Sequence, residues 1–525
     1  MTNKSKDKFK LTKIGEIRTR FAPSPTGFLH IGSARTALFN YLFTKKNKGG
    51  FILRIEDTDK KRSKPEFETD IIENLKWLGI EWDYGPYRQS EKTDVYKKYL
   101  EKLLAENKAY YCFCTEEELE AKRQEQMSRG LAPRYNGKCA KLSKEEVEKN
   151  LKEGKNYIIR FKVPSKKIKF DDLIKGRVEF DTKLIGDISL ARDLNNPLYN
   201  FVVVVDDFEM KISHVIRGED LLPNTPKQIL LAKALGFPQP EYAHLPLILG
   251  PDKSKLSKRH GAVSIAEYRK EGYLPETLIN FLAFLGWNPG TEKEIFSMPA
   301  LVKEFSIERV QKSGAIFNIK RLDFLNGFYI RQKSTKKLTE LCIPYLIEKG
   351  LILPVFKSQE RFPNLTGYLG KEIVQKYSVV ETKEEFSFDY LEKIVSIYQE
   401  RIKKVSEISE LTDFFFRDKL PYNKDLLKWK EMENKEVETI LDKLKDILSK
   451  INERDWKSEN LEKILTPEAE KISIELKKDK NRGYLLWPFR VALTGKKYSA
   501  PPFEIAEILG KNKTLKRVEE AALNF

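Results

Sequence analysis

Arg20-Phe21-Ala22-Pro23-Ser24-Pro25-Thr26-Gly27-Phe28-Leu29-His30-Ile31-Gly32-Ser33 is the stretch on which the reading of this 525-residue chain turns. Arg18–Ala22 reads as a short strand leading into it. Pro23 and Pro25 fix φ and stiffen the loop that leaves the strand, and Gly27 admits a sharp turn. His30 and Ser33 then stand at the start of a predicted helix, Ile31–Thr44, in which Ala34, Ala37, Leu38, Tyr41 and Leu42 recur at helical spacing. A helix N-terminus offers free N–H donors and positive potential to phosphate oxygens. A strand that passes through a loop into such a helix is where parallel α/β sheets hold nucleotides.

Working outward, Gly50–Ile55 reads as a second strand and Lys64–Leu78 as a second helix, so the order β-loop-α-β-α predicts a parallel α/β sheet. Residues 110 to 200 break the pattern. They hold three of the four cysteines, a charged helical piece and β-like runs such as Tyr157–Val163, and together predict an insertion. Phe201–Val205 is apolar and β-branched and is expected to be a buried central strand. The α/β pattern resumes through Leu245–Leu249. Beyond about residue 330 strands fade and Lys/Glu-rich amphipathic helices take over, with no repeat at solenoid periods.

Composition narrows the classes. Hydrophobic residues make up 40% of the chain and mean hydropathy is −0.52, which fits a soluble protein of several domains. No apolar run approaches the roughly 18 residues a membrane span needs. Met1–Lys13 is polar and Lys-rich without an apolar core, which excludes a secretory leader and reads as a polar extension. Four cysteines are too few for a disulfide framework and fit a reducing cytoplasm. A net charge of +18 suggests a polyanionic partner such as nucleic acid, a Lys-rich solubility bias being the plainer alternative.

Further blocks carry chemistry. Lys255-Leu256-Ser257-Lys258-Arg259 follows a Gly250-Pro251 turn, and its cations can close on leaving phosphate oxygens. Arg54-Ile55-Glu56-Asp57-Thr58-Asp59 runs on to Arg62, and Gly85-Pro86-Tyr87-Arg88-Gln89-Ser90 follows. Pro197-Leu198-Tyr199 leads through the valine run to Asp206 and Asp207, which read equally as catalytic-edge groups or turn residues. His214-Val215-Ile216-Arg217 comes next. Cys112, Cys114 and Cys139 suggest a tetrahedral zinc site, core thiols being the alternative. Cys342 stands alone in a helical stretch and reads as core.

These blocks resemble the bacterial-type glutamyl-tRNA synthetases, class I aminoacyl-tRNA synthetases. His30–Ser33 is similar to the His-Ile-Gly-His signature, and Lys255–Arg259 to the Lys-Met-Ser-Lys-Ser loop. Ala22–Gly27 resembles the glutamyl rather than the glutaminyl branch, and Trp487–Gly495 recurs in the family. The resemblance implies an α/β Rossmann-like catalytic domain with an inserted α+β acceptor-binding domain, then an all-α anticodon-binding region. Its boundaries would be 1–16 (polar extension), 17–109, 110–198 (insertion), 199–254, 255–330 (signature loop and stem contact) and 331–525.

By the same resemblance, ATP is bound by His30, Gly32, Ser33, Lys255, Ser257, Lys258 and Arg259, with His30, Lys255 and Lys258 acting at its phosphates. Arg20 and Arg217 take the side-chain carboxylate of L-glutamate. Ala22, Ser24 and Tyr199 line the pocket, and Glu56 takes the ammonium, with Asp59 and Arg62 close by. Mg²⁺ accompanies ATP, although no cluster of carboxylates marks its site. One Zn²⁺ per chain is expected on Cys112, Cys114, Cys139 and Tyr135, since Lys141 occupies the position where other members carry the fourth ligand. Arg401, in the helical stretch Ile394–Val405, aligns with the residue that reads the third anticodon base. The implied activity is that of a glutamate–tRNA ligase that charges tRNA(Glu), as a cytoplasmic monomer without membrane contact. The alternatives are a non-discriminating enzyme that also charges tRNA(Gln), and an inactive tRNA-binding relative.

Overall fold

The structure, a computed structural model, describes residues 16–257, 259, 261–355, 376–421, 423–476 and 481–523. Lys258 and residues 1–15 of the extension lie outside the described residues. The chain divides into two compact units, the first running to Arg269 and including Pro275–Leu322, the second made of Lys270–Leu274 and Asp323 onward.

In the first unit β1 (Arg18–Phe21), β2 (Gly50–Ile55) and β3 (Tyr84–Arg88) form a parallel sheet in the order β1-β2-β3. Helices α1 (Ile31–Lys46), α2 (Pro65–Trp77) and α3 (Thr93–Ala105) alternate with them. Every residue of β1 and β2 is buried, as expected for strands covered on both faces. The expected strand and helix at the opening block, and the next pair, are present within one or two residues of their predicted ends.

The insertion opens with β4 (Ala109–Cys112), α4 (Glu116–Ser128) and α5 (Lys144–Lys152), and continues with β5 (Ile158–Phe161), β6 (Lys167–Asp172), β7 (Gly176–Asp181) and β8 (Ile188–Ala191). Strands β4, β5 and β8 form an antiparallel sheet with β5 in the middle. Ser143 and Glu146 close a reciprocal capping box on α5. The β6–β7 hairpin instead joins a second sheet, ordered β7-β6-β10-β9.

Phe201–Val205 is not a strand. It lies inside α6 (Tyr199–Glu209), with every residue from Phe201 to Asp206 buried. A helix buried all round shows no amphipathic period, and its valines then mimic a core strand in sequence. After α6 come β9 (His214–Gly218), α7 (Thr225–Leu235) and β10 (Glu241–Leu245), with β9 and β10 parallel. The Ser213 N–H donates to the Arg18 carbonyl at 3.1 Å, which ties the start of β9 to β1. The C-terminal ends of β1 and β9 lie side by side where the parallel β1-β2-β3 sheet meets the mixed β7-β6-β10-β9 sheet. This is the crevice such folds use for ligands.

The second unit is helical around one hydrophobic core, with a small antiparallel sheet formed by Ile352–Pro354, Lys376–Val379 and Glu385–Ser387. Cys342 is buried in the helix Thr335–Glu348, as core. The helix expected over Ile394–Val405 is shorter: Phe388–Ser396 is helical, and Arg401 sits in the turn that follows, its N–H donated to Tyr398 at 2.8 Å. No described helix is long and apolar enough to cross a membrane.

Candidate active site

A cavity of about 900 Å³ opens at the ends of β1 and β9. Its walls bring together Arg20, Ala22, Ser24, His30, Gly32, Ser33, Glu56, Tyr199, Arg217, Lys255 and Ser257, residues spread over more than two hundred positions. Arg259 does not line it. Its guanidinium donates back to Asp252 (3.1 Å) and Ser254 Oγ (2.6 Å), clipping its own loop. Asp59 and Arg62 pair with each other at 2.7 Å on the surface and are likewise absent from the walls.

At one end of the cavity, His30 caps α1, its Nδ1 accepting the Ser33 N–H at 3.2 Å. Gly32 makes room for the ring, because a Cβ there would stand 3.2 Å from two imidazole atoms. The protein packed around the imidazole, and then the Lys255 ammonium, hold its pKa below the usual value, with Asp220 opposing. His30 is thus a neutral hydrogen-bonding group at the start of a helix whose Ile31, Ser33 and Ala34 N–H groups are already bonded within the protein. The two signature segments are physically joined: Ile31 N–H donates to Val263 (2.9 Å) and Ile265 N–H to Leu29 (2.8 Å). Lys255 begins on the same loop, pinned by a bridge to Leu249.

The other end is built from buried charge. Arg54, a cation inside an otherwise apolar strand, bonds Asp207 (2.7 Å) and Glu56 (3.0 Å). Arg20 donates to both oxygens of Asp207, at 3.0 and 3.3 Å. Burial pushes the Asp207 carboxyl up, but Arg20 and Arg54 together hold it below the usual range. For Glu56 burial prevails over the same two arginines and raises it. Asp206, on the same helix, accepts from Gln89 (2.8 Å) and Tyr96 (3.0 Å) inside the core. Asp206 and Asp207 are therefore neither turn residues nor groups open at a sheet edge; they are helix residues that anchor the arginines and the core.

Arg217 differs from its neighbours. It is 4% exposed and makes no ion pair with any described residue. Its Nη2 donates to Thr225 Oγ1 (2.9 Å), its Nε to His244 (3.2 Å), and its buried Nη1 has no partner. Burial lowers its pKa, only partly offset by Tyr199. An unmatched buried guanidinium with a spare donor has the charge and geometry to take a carboxylate.

Residues 16–324 match the family described as tRNA synthetases class I (E and Q), catalytic domain. The chain belongs to this class I synthetase family. Residues 337–522 match an anticodon binding domain. The synthetase is 46% identical over 521 residues to glutamate–tRNA ligase 1 of Caldicellulosiruptor saccharolyticus, covering 96% of this chain and 98% of that one. It is 44% identical over 511 residues to the glutamate–tRNA ligase of Aquifex aeolicus, with 96% and 98% covered. A crystal structure of a glutamate tRNA ligase from Elizabethkingia meningosepticum, in complex with its amino acid, superposes with a TM-score of 0.78 at 34% identity, covering 97% and 99% of the two chains.

Two further expected sites of the synthetase lie outside the cavity walls. The sulfurs of Cys112, Cys114 and Cys139 all lie within 4.8 Å of one another, the only such group of three metal-binding side chains among the described residues. Tyr135 Oη stands 3.4 Å from Cys112 Sγ and 3.5 Å from Cys114 Sγ, and Cys114 and Cys139 sulfurs are 3.6 Å apart. Tetrahedral zinc with bonds of about 2.3 Å would set ligand sulfurs about 3.8 Å apart, so the donor set fits. Arg401 is exposed, and its side chain makes no hydrogen bond or ion pair with a described residue.

Sequence reasoning gave no role to Arg54, Asp172, Thr225 or His244. A polar or charged side chain inside a strand was the available signal for Arg54 and His244, because buried polar groups and buried charge must be paired.

Proposed function

We propose that this synthetase is a glutamate–tRNA ligase, and that Arg217 is the residue that selects the amino acid. The unmatched guanidinium carries the reading. Glutamate and glutamine are nearly isosteric, so shape cannot separate them. Only glutamate brings a charge that compensates Arg217, and a neutral amide leaves it unmatched. Arg20, already neutralised by Asp207, adds a second guanidinium to the same wall. Glu56, buried at the opposite sign, suits the α-ammonium.

The substrate's α-carboxylate is itself the nucleophile. It forms a bond to the α-phosphorus of ATP while pyrophosphate leaves, so no side-chain base is needed. The chain contributes position and charge: His30 and the start of α1 at Gly32 would face the phosphates, and Lys255 with Ser257 would approach from the other wall. Mg²⁺ would enter with ATP, since the described residues offer no carboxylate cluster for it. A ribose hydroxyl at the 3′ end of tRNA then attacks the glutamyl-adenylate, releasing AMP. Cys112, Cys114, Cys139 and Tyr135 would hold one zinc, which would fix the chain between β4 and α5. The free Arg401 guanidinium would read the third anticodon base, favouring tRNA(Glu) over tRNA(Gln). Four free thiols support a reducing, cytoplasmic setting.

The test is pyrophosphate exchange with tRNA(Glu) present. Exchange that depends on glutamate and not on glutamine is expected. Exchange with neither amino acid would leave the chain an inactive relative and overturn the reading.

A further inference from the structure

Behind Arg217, away from the cavity, lies a fully buried network that the activity described so far does not use. His244 on β10 is 0% exposed. Its Nδ1 lies 2.6 Å from Asp172 Oδ2, at the end of β6. Asp172 is itself pinned, its other oxygen accepting the N–H groups of Ile174 (3.0 Å), Lys175 (2.8 Å) and His244 (3.2 Å). On the far side of the ring, His244 Nε2 faces Arg217 Nε at 3.2 Å and Thr225 Oγ1 at 3.0 Å. Thr225 also accepts Arg217 Nη2–H at 2.9 Å.

These contacts admit one tautomer. Arginine can only donate, so His244 Nε2 must accept and the ring proton must sit on Nδ1, donated to Asp172. Thr225 takes one N–H from Arg217 and turns its own hydroxyl proton to the same Nε2. Two of the donor groups of Arg217 are thereby fixed against the protein, and the remaining one, Nη1, is left free for a ligand.

We infer that His244 is a positioning residue for the amino-acid pocket, acting through Arg217, and that its protonation uncouples the pocket from glutamate. The inference rests on the proposed reading of Arg217 as the carboxylate-binding group. With a proton on Nε2, the imidazolium would present an N–H to the N–H of Arg217, and two cations would face each other in a buried space. The guanidinium must then turn, and Nη1 loses its aim. Asp172 on β6, Arg217 on β9 and Lys175 in the β6–β7 turn are the charged groups that act on the ring. Tyr242, a neighbour on β10 itself, lies with its ring 6.2 Å away. Glu219 pairs with Lys175 and removes part of its influence. Burial, with Arg217 and Lys175, outweighs Asp172, so the imidazole stays neutral at pH 7 and takes up a proton only on the acid side of its ordinary value.

Steady-state exchange from pH 8 to pH 5.5 reads this directly. In wild type the KM for glutamate should rise about tenfold per pH unit once His244 titrates, with KM for ATP unchanged by that group. The pKa of His30 is lowered as well, but His30 is assigned to the phosphates, so its limb should show in kcat and in KM for ATP. In His244→Gln the glutamate KM should be about tenfold higher at pH 8 and flat toward acid, while KM for ATP stays within about twofold. An acid limb in glutamate KM that persists in His244→Gln, or a variant with wild-type glutamate KM throughout, overturns the inference. If His244→Gln does not fold, Asp172→Asn decides. The amide can donate to Nδ1 and move the proton to Nε2, which should raise glutamate KM about tenfold at pH 8 with KM for ATP unaltered. An unchanged glutamate KM there overturns it equally. Wild-type exchange at pH 7.5 tests the glutamate reading separately, so the two can fail independently.

Discussion

Replacing Arg217 by glutamine should abolish most glutamate activation while leaving the substrate-free protein about as stable as before. Of the three donor groups of Arg217, two bond Thr225 and His244 and the third has no partner. In the substrate-free protein the guanidinium is a buried charge without a carboxylate. Losing its two hydrogen bonds costs about 1–3 kcal/mol, and removing an unsatisfied buried donor and charge returns a similar amount. The two nearly cancel. With glutamate bound the balance is different, because the variant leaves a buried carboxylate short of its charge partner, at a cost of about 3–5 kcal/mol. At about 1.4 kcal/mol per tenfold, kcat/KM for glutamate should fall by roughly 150-fold to several thousand-fold. The preference for glutamate over glutamine should shrink with it. The assays are tRNA-dependent pyrophosphate exchange with each amino acid and thermal unfolding without ligands. A kcat/KM within about tenfold of wild type, or a large loss of stability with normal activity in the folded fraction, would refute the reasoning.

Three other outcomes are expected. His30→Ala and Lys255→Ala should each slow adenylate formation roughly a hundredfold with little change in tRNA affinity, because both line the cavity where the phosphates of ATP are proposed to sit; lost tRNA binding with normal single-turnover activation would contradict this. Elemental analysis should find one zinc per chain, and Cys114→Ser should lose it; protein that is metal-free as purified, with unchanged stability in Cys114→Ser, favours plain core thiols. Arg401→Gln should lower the charging ratio of tRNA(Glu) over tRNA(Gln) by about tenfold or more, measured with both purified tRNAs; an unchanged ratio removes Arg401 from anticodon reading.

Much of this protein is legible in its sequence where the signal is local. The strand at Arg18, the stiff proline loop and the helix from Ile31 follow from fixed φ, a turn glycine and apolar residues at helical spacing, and all are found. The gathering of Cys112, Cys114 and Cys139 is likewise suggested by their spacing within one insertion, and their sulfurs lie within 4.8 Å of one another. The valine run at Phe201–Val205 is a helix and not the expected strand, because complete burial erases periodicity and only packing against neighbours settles helix against strand. The helix after Ile394 was extended too far because nothing in the sequence marks its end at Ser396.

What tertiary structure alone decided is the pairing of buried charge. Arg54 and Asp207 are 153 positions apart, and Asp172 and His244 are 72 apart. No window of sequence contains both members of either pair. The sequence places Arg20, Arg54 and Arg217 within short strands; it does not say which of them is neutralised. In the fold, helix α6 supplies a carboxylate to Arg20 and Arg54, whereas Arg217 receives a threonine hydroxyl, a neutral imidazole and the face of the Tyr242 ring, none of them a carboxylate. Burial penalises a charge left unmatched, and Arg217 is the one of the three without a carboxylate partner among the described residues, which is the ground on which it is proposed to take the substrate's.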